Sequence, residues 1–259
     1  MFQIENFVDT NTASATNLNI KLLDHQGAFY IAEYQRDMSV DMSTAQAEYY
    51  ATRMGVRKKQ LICNLATSGV TLQAGAMQWM VGNCQVKTGI KSAGDLIGKA
   101  FAGRATGESA VKPEYTGTGM VVCEPTYKHL ILTNLANWNG GLVVDDGMFF
   151  ACESSIKQSI QARSNLSSAV AGGKGLFNLK LVGNGVVCLE SPYPQRELVQ
   201  ISLDNDELKV DGSFVVAWAG SLDFTVERST KSLIGSAASG EGLVNVYRGT
   251  GRLWMMPVG

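Results

Sequence analysis

Only two histidines, His25 and His129, occur in the 259 residues. Neither belongs to an HxH pair with a Glu and a further His, which excludes a cupin-type transition-metal centre. No Gly-x-Ser-x-Gly elbow is present, so an α/β-hydrolase arrangement has no support. Cysteine is sparse and unpatterned. The five residues Cys63, Cys84, Cys123, Cys152 and Cys188 form no C-x-x-C pair, and most sit in apolar runs such as Val121-Val122-Cys123. Their odd number and setting predict free buried thiols, not a disulfide framework or a thiolate metal site. Charge is scarce too: 17% of residues are charged, with 22 Lys+Arg against 23 Asp+Glu, while 45% are hydrophobic. That balance excludes a disordered tail and a coiled coil. It also lacks the basic excess that phosphate neutralisation requires, so nucleic acid is not an expected partner. Long hydrophobic runs are missing. Stretches such as Phe214 to Ala219 fall far short of the ~20 residues of a spanning helix, so no membrane span is expected. Met1 to Phe7 contains Glu5 and no basic region followed by an apolar core. It does not read as a secretory signal, and the expected compartment is the cytoplasm.

What the chain does have is an internal repeat. Tyr115-Thr116-Gly117-Thr118-Gly119, Leu181-Val182-Gly183-Asn184-Gly185 and Tyr247-Arg248-Gly249-Thr250-Gly251 each lead into an apolar or aromatic run. A second element precedes each by about ten residues: Gly107-Glu108-Ser109, Gly173-Lys174-Gly175 and Gly240-Glu241-Gly242. A third marks each start: Gly75-Ala76-Met77, Gly147-Met148-Phe149 and Gly212-Ser213-Phe214. The copies run 71–126, 142–194 and 208–257, within a single compact domain. Residues 1–70 read as an N-terminal extension packed on the first copy, since no composition shift or linker sets them apart.

The local chemistry is that of strands. Leu222, Phe224 and Val226 alternate with Asp223, Thr225 and Glu227, the period of a half-buried strand. Asp146-Gly147 and Asp211-Gly212 are tight-turn signals. Gly117, Gly183 and Gly249 stand where a strand bends or meets another backbone. Short stretches at 96–103, 166–172 and 233–239 read as a turn or two of helix. In the extension, Phe29 to Tyr34 and Val56 to Ala66 read as strands. Ser43 to Met54 is the one convincing helix, with Ser43 as cap and Gly55 as stop.

Other candidate chemistry has plainer readings. Gly172-Gly173-Lys174-Gly175 fails the Walker pattern, because Gly175 stands where Ser or Thr is needed. The acidic clusters Asp145-Asp146 and Asp204-Asn205-Asp206-Glu207 lie between apolar runs, where they read as solvated turns before cation sites. Arg57-Lys58-Lys59 reads as a solvated strand edge before a nucleic-acid patch. Trp79, Trp138, Trp218 and Trp254 read mainly as core.

Taken together, Gly107-Glu108-Ser109 with Tyr115 to Gly119, Gly175-Leu176-Phe177 with Gly183 to Val187 and Glu190-Ser191-Pro192, and Gly240 to Val244 with Gly249 to Gly251 resemble the AIM (altered inheritance of mitochondria) family. This is a bacterial and mitochondrial domain of unknown function. The resemblance covers about 70–257. It implies an all-β fold: three β-rich repeats, each a β-sandwich unit like the tryptophan RNA-binding attenuation protein, around a pseudo-threefold axis. The family has no established enzymatic activity or cofactor. Its repeat positions fall here on Gly107, Glu108, Gly117, Gly119, Gly173, Gly175, Gly183, Gly185, Gly240, Glu241, Gly242, Gly249 and Gly251.

With no catalytic constellation in view, the expected function is a non-catalytic binding or scaffold protein. Its partner is another protein or a second copy of itself. Two alternatives stand beside this: a small-ligand or enzyme site built on acidic residues between repeats, and RNA or single-stranded nucleic-acid binding by analogy of fold.

Overall fold

Alternating apolar and polar residues make strands, and strands dominate. In the computed structural model, residues 2–88, 112–162, 177–228 and 243–258 are described. The extension supplies β1 (Val8–Asp9), β2 (Ser14–Ala15), β3 (Ile20–Gln26), β4 (Phe29–Tyr34), α1 (Ala45–Arg53) and β5 (Lys59–Asn64). β6 (Val70–Leu72), β7 (Met77–Val81), β8 (Cys84–Lys87), β9 (Glu114–Gly117) and β10 (Met120–Cys123) follow. Next are β11 (His129–Asn134), β12 (Leu142–Val144), β13 (Phe149–Glu153), β14 (Lys157–Ala162), β15 (Phe177–Val182) and β16 (Val186–Ser191). The chain finishes with β17 (Val199–Asp211), β18 (Val215–Ala219), β19 (Asp223–Arg228) and β20 (Leu243–Met255). This is an all-β fold with one α-helix among the described residues, as the patterning implies. No described helix is long and apolar enough to cross a membrane.

Besides the β1–β2 hairpin, the described residues form three antiparallel sheets. One runs β3-β4-β5-β10-β7, the second β11-β16-β13-β6-β9-β8, and the third β14-β15-β12-β18-β20-β17, with β19 also paired to β20. Strands of the N-terminal extension therefore lie within the sheets: β5 pairs β10, and β6 sits between β13 and β9. The second sheet is buried on both faces over β11, β16 and β13. Leu130, Leu132, Phe150 and Cys188 join one core, shared with Phe29, Leu61 and Val121. Ile131, Phe149, Cys152 and Leu189 join another, shared with Leu142, Leu181, Trp218 and Trp254. Because side chains alternate across a strand, one strand feeds two cores. Each fully buried Leu here contributes roughly 1.5–3 kcal/mol. A third, smaller cluster lies under the N-terminal residues: Val8, Ile20, Tyr30, Ile62 and Val122, with Phe7 and Trp79 against it.

One pairing recurs. Val122 faces Trp79 and Cys123 faces Met77, with a register shift between them. Cys188 faces Ala151 and Leu189 faces Phe149, again with a shift. Trp254 faces Ala217 and Met255 faces Val215, with the same shift. The glycine corner before each pairing has positive φ: +124° at Gly117, +136° at Gly183 and +117° at Gly249. At Gly117 a Cβ would also lie 2.0 Å from the Asn83 carbonyl oxygen. That position therefore needs glycine twice over, for conformation and for space.

Three local expectations are corrected. The helix starts after Thr44, not Ser43, and the Asp41 carboxylate receives the N–H groups of Ser43 (2.8 Å) and Thr44 (3.0 Å). Asp41 wins because its side chain reaches both donors from outside the first turn. Gly55 does close the helix, in the left-handed region at φ +79°. Asp204 to Glu207 is not a turn between strands but the middle of β17. The ladder skips from Leu203 to Asp206 around Asn205, which sits at φ +51°. Asn tolerates that conformation, so the strand bulges and continues. Arg57-Lys58-Lys59 is not a solvated edge. Lys59 begins β5, which lies between β4 and β10, and is only 3% exposed. The short stretches at 96–103, 166–172 and 233–239 lie outside the described residues. So do Gly107, Glu108, Gly173, Gly175, Gly240, Glu241 and Gly242.

Candidate binding groove

A groove of about 1040 Å³ opens where the ends of β4 and β5 meet α1 and β7. Its apolar lining comes from Phe7, Leu18, Tyr34, Met38, Val56 and Trp79. Phe7 and Trp79 touch ring to ring, with centroids 5.5 Å apart. The other three tryptophans are buried in the core, as expected, but Trp79 is only partly buried. The surrounding surface is unusually apolar. Leu18, Met38, Met42 and Met54 are exposed, and so are Tyr49 and Tyr50 on a helix that buries no residue. Methionine side chains re-pack easily against varied shapes, which suits a binding surface.

The polar floor is an ordered network. Tyr34 donates its hydroxyl to Gln60 Oε1 at 2.8 Å. Gln60 Nε2 in turn donates to Gln78 Oε1 at 2.7 Å and to the Cys123 carbonyl at 2.8 Å. The β4–β5 register places Glu33 opposite Lys59. Glu33 receives Arg57 Nη1 at 3.3 Å and Lys59 Nζ at 3.8 Å, and Lys59 also donates to the Arg57 carbonyl at 3.1 Å. Burial pulls the Lys59 ammonium below its usual range, against the opposing pull of Glu33. Lys58 is paired with Asp37. Hydrogen bonds from Lys58 and Ser39 hold the Asp37 carboxyl down at about 2. Each cation of the Arg57-Lys58-Lys59 run thus already has a carboxylate partner. One donor is left over: the buried Nε of Arg57 has no partner among the described residues. A buried donor without an acceptor costs stability.

The glycine corners are not gathered into this groove. Gly117, Gly183 and Gly249 mark three separate bends. Gly119, with Asn83 and Thr118, borders a second cavity of about 1010 Å³ beneath the N-terminal residues. His25 stacks on Tyr30, with ring centroids 4.7 Å apart. His129 is half-buried in β11, and burial together with Lys59 pushes its imidazole below the usual range. Among the described residues no group of three His, Cys, Asp or Glu is placed to hold a metal ion. Composition alone does not reveal Trp79, Gln60 or Glu33. The one legible signal is a glutamate inside the apolar run Phe29 to Tyr34, where a buried charge needs a partner.

A family model described as Mitochondrial biogenesis AIM24 matches residues 51–258. An uncharacterised protein of Streptococcus pyogenes serotype M6 is 28% identical over 196 residues, which is 72% of this chain and 75% of that protein. An X-ray crystal structure of a Streptococcus pyogenes protein, from a structural genomics programme, is similar with a TM-score of 0.57 and 24% identity. The match covers 78% of this chain and 89% of that one. That likeness is one of fold.

Proposed function

The chain belongs to the mitochondrial biogenesis AIM24 family, and from that premise we propose that it is a non-catalytic binding module acting as a self-associating scaffold. The observation that carries this is the groove. It joins an apolar wall to a polar floor in which Arg57 and Lys58 are already matched by carboxylates. Such a surface suits a protein segment with apolar side chains. It suits a phosphate backbone poorly, because Arg36 is the single lining cation without a carboxylate partner among the described residues.

In this reading the strand sets around the three glycine corners are copies of one sandwich unit like the tryptophan RNA-binding attenuation protein, arranged about a pseudo-threefold axis. The recurring register shift supports that. We place the protein in the cytoplasm, where its five free thiols stay reduced.

Light scattering after size exclusion, at two protein concentrations and two salt levels, tests the proposal. The expected result is an assembly heavier than the 27.8 kDa chain, insensitive to salt and without nucleic-acid absorbance. A monomer overturns self-association. A particle carrying nucleic acid that salt strips away favours the RNA alternative.

A further inference from the structure

Two strand pairings inside the chain leave a third without its partner. β13 lies antiparallel on β6, with Ala151 opposite Leu72, Cys152 opposite Thr71 and Glu153 opposite Val70. β18 lies on β12 in the same way, with Ala217 opposite Val144, Trp218 opposite Val143 and Ala219 opposite Leu142. The bulged pairings make Val81 the counterpart of Glu153 and Ala219. On the other side, Val70 faces Tyr115, Leu142 faces Leu181 and Leu208 faces Tyr247, each two residues before a corner glycine. Leu208 is therefore the counterpart of Val70 and Leu142. The pattern calls for β7 to pair with the 208–210 stretch of β17. Instead, β7 ends one sheet and β17 ends another, each with a single strand neighbour among the described residues.

We infer that these two edges join between molecules: the β17 edge of one chain adds to the β7 edge of a second copy, with Leu208 opposite Val81, Lys209 opposite Met80 and Val210 opposite Trp79. This rests on the self-associating reading and names its interface. The chemistry fits the register. Trp79 and Val81 present apolar side chains on one face of β7, as Leu208 and Val210 do on β17. Met80 is 43% exposed on the other face, and Lys209 is exposed. Edge strands are ready templates for strand addition, with the backbone ladder supplying affinity and alternate side chains supplying register. The two edges differ, so the contact is head-to-tail. Assembly continues until a ring closes or a filament forms.

Two exposed positions make the test. Met80→Cys and Lys209→Cys chains, co-expressed and mildly oxidised, should give a disulfide-linked dimer absent from either variant alone. Met80→Lys, which sets a lysine against Lys209, should reduce the particle to the 27.8 kDa single-chain mass, and adding Lys209→Glu should restore it. Circular dichroism confirms that the variants fold. An assembly unmoved by Met80→Lys overturns this interface and leaves the scaffold reading standing. A wild-type monomer overturns both. A Met80→Cys, Lys209→Cys double variant that cross-links at monomer mass shows that the edges close within one chain and also overturns the inference.

Discussion

Ala28, at the turn between β3 and β4, donates its backbone N–H to Glu153 Oε1 at 3.0 Å. The second oxygen, Oε2, accepts the Val186 N–H at 2.9 Å. One buried carboxylate thus ties the N-terminal hairpin to β13 and to the start of β16. Two glycines make room for it: a Cβ on Gly27 would come within 2.3 Å of Oε1, and one on Gly185 within 2.7 Å of Oε2.

Glu153→Ala leaves two buried N–H donors unmet, at about 1–3 kcal/mol each. Urea unfolding should show a loss of about 2–6 kcal/mol. Gly185→Ala should also destabilise, because the new methyl displaces the carboxylate and φ is +140°. An unchanged midpoint for both variants would remove this tether from the account.

The Asp37 carboxyl, held at about 2 by Lys58 and Ser39, sets a pH dependence. Its folded value lies below the ordinary 3.8, so its contribution is full above that value and is lost as pH falls through about 2. Asp37→Asn should cost ~0.2–1 kcal/mol at pH 7, the range of a solvent-screened pair. The gap from wild type should vanish near pH 2. Glu227 follows the same sign, held at about 2 chiefly by its hydrogen bonds from Arg248. Denaturation curves for the wild type and the Asp37→Asn variant at both pH values check this.

Thiol chemistry should be selective. Burial pushes Cys152 up to about 12, and raises Cys63 and Cys188 well above the ordinary thiol range. Cys84 is the one cysteine that is not fully buried. A chromogenic disulfide reagent at pH 8 should titrate at most one thiol in the native protein, slowly, and five in denaturant. Cys84→Ser should abolish the native reaction.

Tryptophan emission should report the groove. Trp79 is only partly buried while Trp138, Trp218 and Trp254 are 3%, 2% and 3% exposed. Acrylamide should quench a minor fraction of the fluorescence, and Trp79→Phe should remove that fraction with little loss of stability. No quenchable fraction in the wild type would mean the groove is closed in solution, and quenching that survives the substitution would mean another tryptophan is exposed.

The corner glycines, the alternation of β19, the buried cysteines and the near-neutral charge are all legible in the sequence. Each follows from local rules: backbone conformations open mainly to glycine, a period of two along a strand, a count of charges. The helix was legible to within two residues at its start. Its exposure was not, because burial depends on what packs against a segment and not on its own pattern. Arg57-Lys58-Lys59 looked like a solvated edge because the sequence does not show that the register sets Glu33 opposite Lys59. The bulge in β17 looked like a turn because Asp and Asn favour turns wherever no ladder holds them. The groove, the Glu153 tether and the unmatched edges of β7 and β17 belong to tertiary structure alone. They depend on contacts between residues far apart in the chain, 125 positions in the case of Ala28 and Glu153. Only the closing of the sheets brings such residues within hydrogen-bonding distance.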